Sequence, residues 1–231
     1  MNKKASFYFL AVCILLLPRV VRYLYPEIFI EDDFYLQNAF LITAGEKPYA
    51  DFILNHFPVL ELFLALIFKT FGPSIQTAEL LTQSFVIINS LLILLIGLRL
   101  NNQFTGLVSS GLYACSSVIF RYHVFEREIF TSTCMLMGIC LYFYLNDQRR
   151  VKYLLIGLIF SVSTLIKFTG ALPLIIIIIA SLYEKKFKEA AIVIVFFSAP
   201  LVIATGLYYE QYGYSFYFQV ILFHLFTFIP Q

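Results

Sequence analysis

The chain has 231 residues, of which 61% are hydrophobic and only 13% are charged, and its mean hydropathy is +0.85. A soluble domain is usually about 45–50% apolar and about 25% charged, so this composition excludes an ordinary soluble protein. The net charge of +2 leaves no basic excess from which a nucleic-acid surface could be built.

Long apolar segments recur along the chain and are separated by short polar breaks. Because a helix needs about 20 apolar residues to cross a bilayer, the pattern predicts an all-α, polytopic transmembrane bundle. About seven spans are predicted, at residues 6–24, 77–98, 104–120, 129–146, 151–167, 170–183 and 189–208. The first span follows two lysines and lacks a small-residue cleavage site, which predicts an uncleaved signal anchor.

The segment at residues 57–71, FPVLELFLALIFKTF, is short for a span. If it does not cross, the clustered basic residues all fall on one side: Lys3, Lys4, Arg99, Arg149, Arg150, Lys152, Lys185, Lys186 and Lys188. If it crosses, the groups at 149–152 and 185–188 move to the side opposite the N-terminal lysines. The positive-inside rule favours the first arrangement. We therefore predict a cytoplasmic N-terminus and non-crossing, juxtamembrane helices in a first external loop at about residues 25–76.

This topology gathers most of the other polar residues on the external face. The first external loop opens with an acidic run, Glu31, Asp32 and Asp33. The same face receives the loop at 121–128, Lys167 at the outer end of the fifth span, and the tail after residue 208. Gly170 and Pro173 favour a helix break just after Lys167.

Two interpretations stay open for each of these charged groups. The acidic run is either a solvated loop with Asp32 or Asp33 as a helix N-cap, or a proton-transfer site, because adjacent carboxylates raise one another's pKa. Lys167 is either a lysine that reaches back to the interface or a cation that awaits an anion such as a phosphate.

The remaining candidates are weaker as single signals. Glu126, Arg127 and Glu128 either neutralise one another or face the acidic run across a cavity mouth. His56 could cap the helix that begins near Pro58. His224 lies in an aromatic tail, where a structural histidine is the more common case.

The stretch EDDFYLQNAFLITAGEKPYADFILNHFPV resembles the first external loop of GT-C glycosyltransferases of the protein-mannosyltransferase and aminoarabinose-transferase type. In that family an acidic pair is followed by a tyrosine, an Ala-rich helix, a G-E-x-P-Y-x-D-F turn and H-x-P. The matching positions are Glu31, Asp32, Tyr35, Gly45, Glu46, Pro48, Tyr49, Asp51, Phe52, His56 and Pro58. The sequence departs from the family pattern in having Glu31 where an aspartate is usual and Asp33 where a small residue is common.

Two later segments extend the resemblance. REIFTSTCMLMGI resembles the second external loop of the family and places its functional acid on Glu128, and STLIKFTGALPLI places a phosphate-facing lysine on Lys167. Members of the family usually run to about twice this length. The resemblance therefore implies that residues 1–231 form a single N-terminal module: either the protein is truncated or split, with a second chain supplying the missing C-terminal half, or it is a minimal form of the family.

The resemblance implies a glycosyltransferase of the cell membrane that moves a sugar from a polyprenyl-phosphate donor to a protein, glycan or lipid acceptor on the external face. Asp32 or Glu31, with Asp33 beside them, would be the catalytic acids, and Lys167 with Arg127 would bind the donor phosphate. The implied acceptor-binding or site-supporting residues are Tyr35, Tyr49, Asp51, His56, Glu128 and His224.

No P-loop, GxGxxG or HExxH motif occurs, so no nucleotide cofactor is predicted. A divalent metal held by the acidic run and His56 stays open. The alternative function is a truncated, non-catalytic relative that serves as a membrane scaffold or partner subunit. A transporter fits less well, because the predicted spans are almost free of ionisable residues.

Overall fold

The computed structural model describes residues 34–100, 102–119, 125–145 and 150–223, together with residues 7, 10–14, 16 and 20. Its α-helices, apart from the N-terminal residues, are α1 (Phe34–Ala44), α2 (Val59–Phe71), α3 (Ile75–Arg99), α4 (Gln103–Ile119), α5 (Arg127–Tyr144), α6 (Arg150–Ile166), α7 (Leu172–Tyr183), α8 (Phe187–Tyr212) and α9 (Tyr214–Tyr217). A 3-10 turn, Phe168–Ala171, precedes α7, and a π-helical turn, Phe218–Leu222, follows α9. The all-α fold class is confirmed for the described part of the chain.

The helices after residue 75 begin and end within a few residues of the predicted spans. Two of the described helices, α3 and α8, are long and apolar enough to cross a membrane by length and composition, and the apolar stretch Phe168–Tyr183 is shorter. The described residues of the first predicted span are helical, and Ala11 packs with Leu94 and Leu107. The number of spans stays a prediction.

The turn between α2 and α3 is set by two residues with clear local reasons. Gly72 ends α2 with φ of 86°, a left-handed conformation that costs glycine little. Ser74 is the N-cap of α3, and its hydroxyl accepts a hydrogen bond from the Thr77 backbone N–H at 3.1 Å. The chain therefore leaves α2 and enters α3 within three residues.

One end of the bundle, which we call the basic end, collects the predicted cytoplasmic residues. The C-terminal ends of α3 and α5 meet there, since Arg99 Nε donates to the Phe143 carbonyl at 2.9 Å. The start of α6 lies beside them, with Lys152 Nζ 4.6 Å from the centre of the Tyr142 ring. Helix α8 packs alongside α6, with Gly157 against Val193. The first turn of α8 also lies at the basic end.

The opposite end, which we call the site end, carries the start of α5 and the end of α6. Lys167, directly after α6, donates to Glu128 in the first turn of α5. Helix α2 lies at this end, where Leu60, Leu64 and Phe68 join a buried cluster with Ile129 and Ile166. The Gly72 turn leads directly into the start of α3, which lies at the site end because the C-terminal end of α3 lies at the basic end. Both ends of α2 therefore lie at the site end of the bundle.

Helices α3 and α4 form an antiparallel pair that crosses at two glycines. A Cβ added to Gly97 would lie 2.2 Å from the Gly106 Cα, so only glycine allows this approach. Further along the same contact, the buried Ser110 hydroxyl donates to the Ser90 carbonyl at 2.8 Å. Small residues that let backbones approach closely are the usual means of helix association in a bilayer.

Candidate functional site

A cavity of about 310 Å³ lies at the site end. It is bounded by the segment before α2, the first residue of α5 and the end of α6 with the turn that follows. Its lining residues are His56, Phe57, Arg127, Thr164, Leu165, Ile166, Lys167, Phe168 and Thr169. The cavity therefore combines basic side chains with apolar walls.

Lys167 lies where α6 stops. Its backbone is extended, with φ of −153° and ψ of 130°, and its N–H still donates to the Ser163 carbonyl at 2.9 Å. Gly170 allows the following turn to fold back on α6, because a Cβ there would lie 2.4 Å from Ser163 Oγ. The helix break expected after Lys167 is confirmed, and it places the ammonium group at the cavity wall.

Glu128 pairs with Lys167 across the mouth between α5 and α6. Burial would raise the pKa of Glu128, but the hydrogen bond and charge of Lys167 outweigh that effect and hold the pKa below its usual value. The Glu128–Lys167 ion pair is therefore fully formed above the ordinary carboxyl pKa. It is lost only as the pH falls through the lowered pKa of Glu128. The second carboxylate oxygen, Oε2, is buried, and no described residue forms a hydrogen bond with it.

Arg127 contacts the first loop through Tyr35 in α1. Its Nε donates to the Tyr35 hydroxyl at 2.8 Å, and its guanidinium carbon lies 4.9 Å from the centre of that ring. Burial raises the pKa of Tyr35, so the phenol is neutral near pH 7 and its oxygen can accept this bond. Arg127 and Glu128 thus have different principal partners, although they are adjacent in sequence.

His56 is almost completely buried, at 4% exposed, and both of its ring nitrogens face an oxygen. Nε2 lies 2.5 Å from Glu61 Oε1, and Nδ1 lies 2.8 Å from Asn55 Oδ1. The ring edge also contacts Tyr35, with 5.6 Å between ring centres. His56 therefore joins the cavity to α1 and α2.

The turn predicted at residues 45–52 lies outside the cavity and contacts the segment that carries His56. Tyr49 is buried, with φ of 66°, and its hydroxyl donates to the His56 carbonyl at 2.6 Å. Ser215 and Gln219, from the segment after α8, donate to the Tyr49 carbonyl. Asp51 is exposed, and its carboxylate accepts from the Lys47 backbone N–H at 2.8 Å. Neither Tyr49 nor Asp51 lines the cavity.

The acidic run and His224 lie outside the described residues. Among the described residues, no group of three His, Cys, Asp or Glu side chains is placed to hold a metal ion. The roles expected for Glu31, Asp32, Asp33 and His224 stay predictions.

Glu61 was not expected from sequence to belong to the site. It is fully buried in the first turn of α2, and its Oε2 has no hydrogen-bond partner in the part of the chain that the structure describes. One signal could have found it, namely a carboxylate five residues after His56 inside an otherwise apolar segment.

The fold and the cavity together define a class, a helical membrane protein with a basic, apolar-walled site at one end of its bundle. Residues 55–209, well over half of the chain, match the family model of the dolichyl-phosphate-mannose-protein mannosyltransferases. The chain belongs to that family, which consists of membrane glycosyltransferases of the GT-C type. No curated protein and no solved structure matches it.

Proposed function

We propose that this protein transfers a sugar from a polyprenyl-phosphate donor to an acceptor on the external face of the cell membrane. One observation carries the proposal: Lys167 and Arg127 line the same cavity, whose other walls include Phe57, Leu165 and Phe168. Two cations suit a phosphate, and apolar walls suit the first prenyl units.

The chemistry needs charge stabilisation at the leaving group. When the sugar–phosphate bond breaks, negative charge grows on the phosphate oxygen that departs. A preorganised ammonium and guanidinium at that position stabilise the transition state more than the ground state. Glu128 keeps Lys167 oriented in the absence of donor, and a bound phosphate competes for the same ammonium protons.

The acceptor side of the reaction is assigned to the acidic run. Asp32 or Glu31 removes the proton from an acceptor hydroxyl while that oxygen attacks the sugar carbon, so the configuration at that carbon inverts. Asp33 adds negative charge beside them, which favours proton uptake. If the acceptor is a phosphate or carboxylate, it needs no base, and the acids position it.

The orientation of the bundle is part of the proposal. The basic groups at residues 99, 150, 152, 185, 186 and 188 lie in or beside the connections at the basic end, which the positive-inside rule assigns to the cytoplasm. The site end, with α2 entering and leaving on one side, is then external.

Cysteine accessibility tests this orientation. In a background without the four native cysteines, we expect Lys47→Cys, Pro73→Cys and Thr169→Cys to react with a membrane-impermeant maleimide from outside intact cells. Lys186→Cys should react only after permeabilisation. Positions 47 and 73 flank α2, so labelling from opposite sides would mean that α2 crosses the membrane and that the proposed site is not assembled.

Sugar transfer tests the assignment of the acid. Membranes that contain Asp32→Asn, supplied with radiolabelled polyprenyl-phosphate mannose, are expected to transfer roughly 10²–10⁴-fold less sugar than wild type, the usual contribution of a general base. Glu46→Gln is the matched control, since Glu46 is an exposed acid of the same loop. Transfer by Asp32→Asn at the control level would refute the acid assignment. Tolerance at Glu31, Asp32 and Lys167 together would instead favour the scaffold or partner-subunit function.

A further inference from the structure

Glu61 is a buried carboxylate that helix capping does not explain. It is the third residue of α2, where a glutamate usually bonds the backbone N–H of the N-cap residue. The N-cap here is Pro58, which has no N–H, and no side-chain cap hydrogen bond is present. The carboxylate turns to His56 Nε2 instead, at 2.5 Å.

Packing does not explain Glu61 either. It is 0% exposed, one of its oxygens has no hydrogen-bond partner among the described residues, and its neighbours on α2 are Leu60, Leu64 and Ala65. A buried, incompletely paired charge is a poor stabiliser compared with an apolar residue of similar size. The acid therefore serves something other than the core.

The contacts of His56 show what this acid can act on. With Nε2 facing Glu61 and Nδ1 facing Asn55, neither ring nitrogen is directed into the cavity that the residue lines. In this arrangement both ring nitrogens of His56 are engaged by neighbouring side-chain oxygens, and the ring is held in place. Its ring packs on Tyr35, which accepts the hydrogen bond from Arg127.

We propose that Glu61 is a positioning residue for the anion site: through His56 and Tyr35 it holds the Arg127 guanidinium at the cavity wall beside Lys167. The chain of contacts runs from a fully buried carboxylate to a guanidinium that lines the cavity, and each link is a contact of the described residues. Among the described residues Lys167 also lines the cavity, and Glu128 is its ion-pair partner. This inference rests on the proposed function, since it concerns the group that binds the donor phosphate.

The test compares a polyprenyl phosphate with the matching prenol. Purified wild type, Glu61→Gln and the exposed-acid control Glu46→Gln are titrated calorimetrically with a short-chain polyprenyl phosphate and with the same prenol without phosphate. Glu61→Gln keeps the side-chain volume and an oxygen that accepts from His56, but it removes the charge. We expect it to weaken phosphate binding by about tenfold, within the range of indirect coupling energies, while prenol binding stays unchanged.

Two further readouts separate positioning from a general structural role. In transfer assays with polyprenyl-phosphate mannose, Glu61→Gln should raise KM for the donor and also lower kcat, because the guanidinium that it positions stabilises the transition state more than the ground state. In a His56→Phe background, Glu61→Gln should add no further loss, because both changes break the same chain of contacts.

The outcomes are distinguishable. If Glu61→Gln binds polyprenyl phosphate as wild type does, or loses prenol binding equally, the positioning role is refuted and the proposed function stands. If wild type itself binds the phosphate no better than the prenol, the proposed function fails and this inference fails with it. Should Glu61→Gln not fold, Tyr35→Phe removes the acceptor for Arg127 and leaves the buried pair intact. Tyr35→Phe should then show the same phosphate-selective loss, and unchanged binding would refute the role.

Discussion

Replacing Lys167 with alanine is expected to reduce sugar transfer by roughly 10²–10³-fold, the usual effect of removing one group that stabilises developing charge. The change removes the ammonium from the cavity wall and leaves the Glu128 carboxylate beside it without its cation. A donor phosphate would then lose one of the two cations that line the cavity among the described residues, and it would also be repelled by the unpaired Glu128. Transfer from polyprenyl-phosphate mannose in isolated membranes measures the effect.

Two companion variants sharpen this result. Lys167→Arg keeps the charge but not the compact ammonium, and it should recover part of the transfer. Lys188→Ala removes an exposed lysine at the basic end and should leave transfer unchanged. Full transfer by Lys167→Ala, at equal protein levels, would contradict the phosphate-binding role of Lys167.

Gly97→Ala is expected to lower the free energy of unfolding by about 3 kcal/mol, at the upper end of the usual cost of overpacking. The new Cβ would lie 2.2 Å from Gly106 Cα and 2.8 Å from Gly106 N. Both atoms belong to the backbone, so no side chain can rotate away, and α3 and α4 must separate. Thermal unfolding of the purified protein in detergent measures the change.

Gly206→Ala provides the matched control for this variant. Gly206 also lies inside a long apolar helix, α8, but an added Cβ there has no atom within 4 Å. Alanine should leave stability unchanged or raise it by up to about 1 kcal/mol, because it favours the helix more than glycine does. Equal melting temperatures for the two variants would show that the α3–α4 crossing is looser than described.

The site was only partly predictable from sequence. Lys167 could be located because a run of apolar residues, a lysine and a following Gly-x-x-Pro are all local signals, and the structure breaks the helix there. The partner of Lys167 in the structure, Glu128, is 39 residues away. Sequence placed both on one face only through the predicted topology and the family resemblance, and it left the neighbouring Arg127 equally able to neutralise Glu128.

The buried His56–Glu61 pair shows why the rest was missed. From sequence, His56 was left open as a helix cap and, through the resemblance, as an acceptor-binding or site-supporting residue, and Glu61 was not singled out. Their contact requires the chain to turn at Phe57 and Pro58 and the start of α2 to be covered by neighbouring helices. Likewise the contacts of Tyr49, which was expected to bind the acceptor or support the site, could not be read from sequence: its backbone is left-handed and its ring packs with Tyr208 and Phe216.

By itself the sequence determined the all-helical class, the approximate ends of the helices after residue 75, and the family, because apolar period, helix breakers and short motifs are properties of neighbouring residues. Tertiary structure alone decided that Arg127 contacts Tyr35, 92 residues away, that Glu61 holds His56, and that Gly97 meets Gly106. These pairings depend on how the helices cross and on which side chains their packing buries. For Arg127 and Tyr35 this information lies in the distance between remote segments, whereas His56 and Glu61, and Gly97 and Gly106, are close in sequence but meet only through the way the chain turns between them.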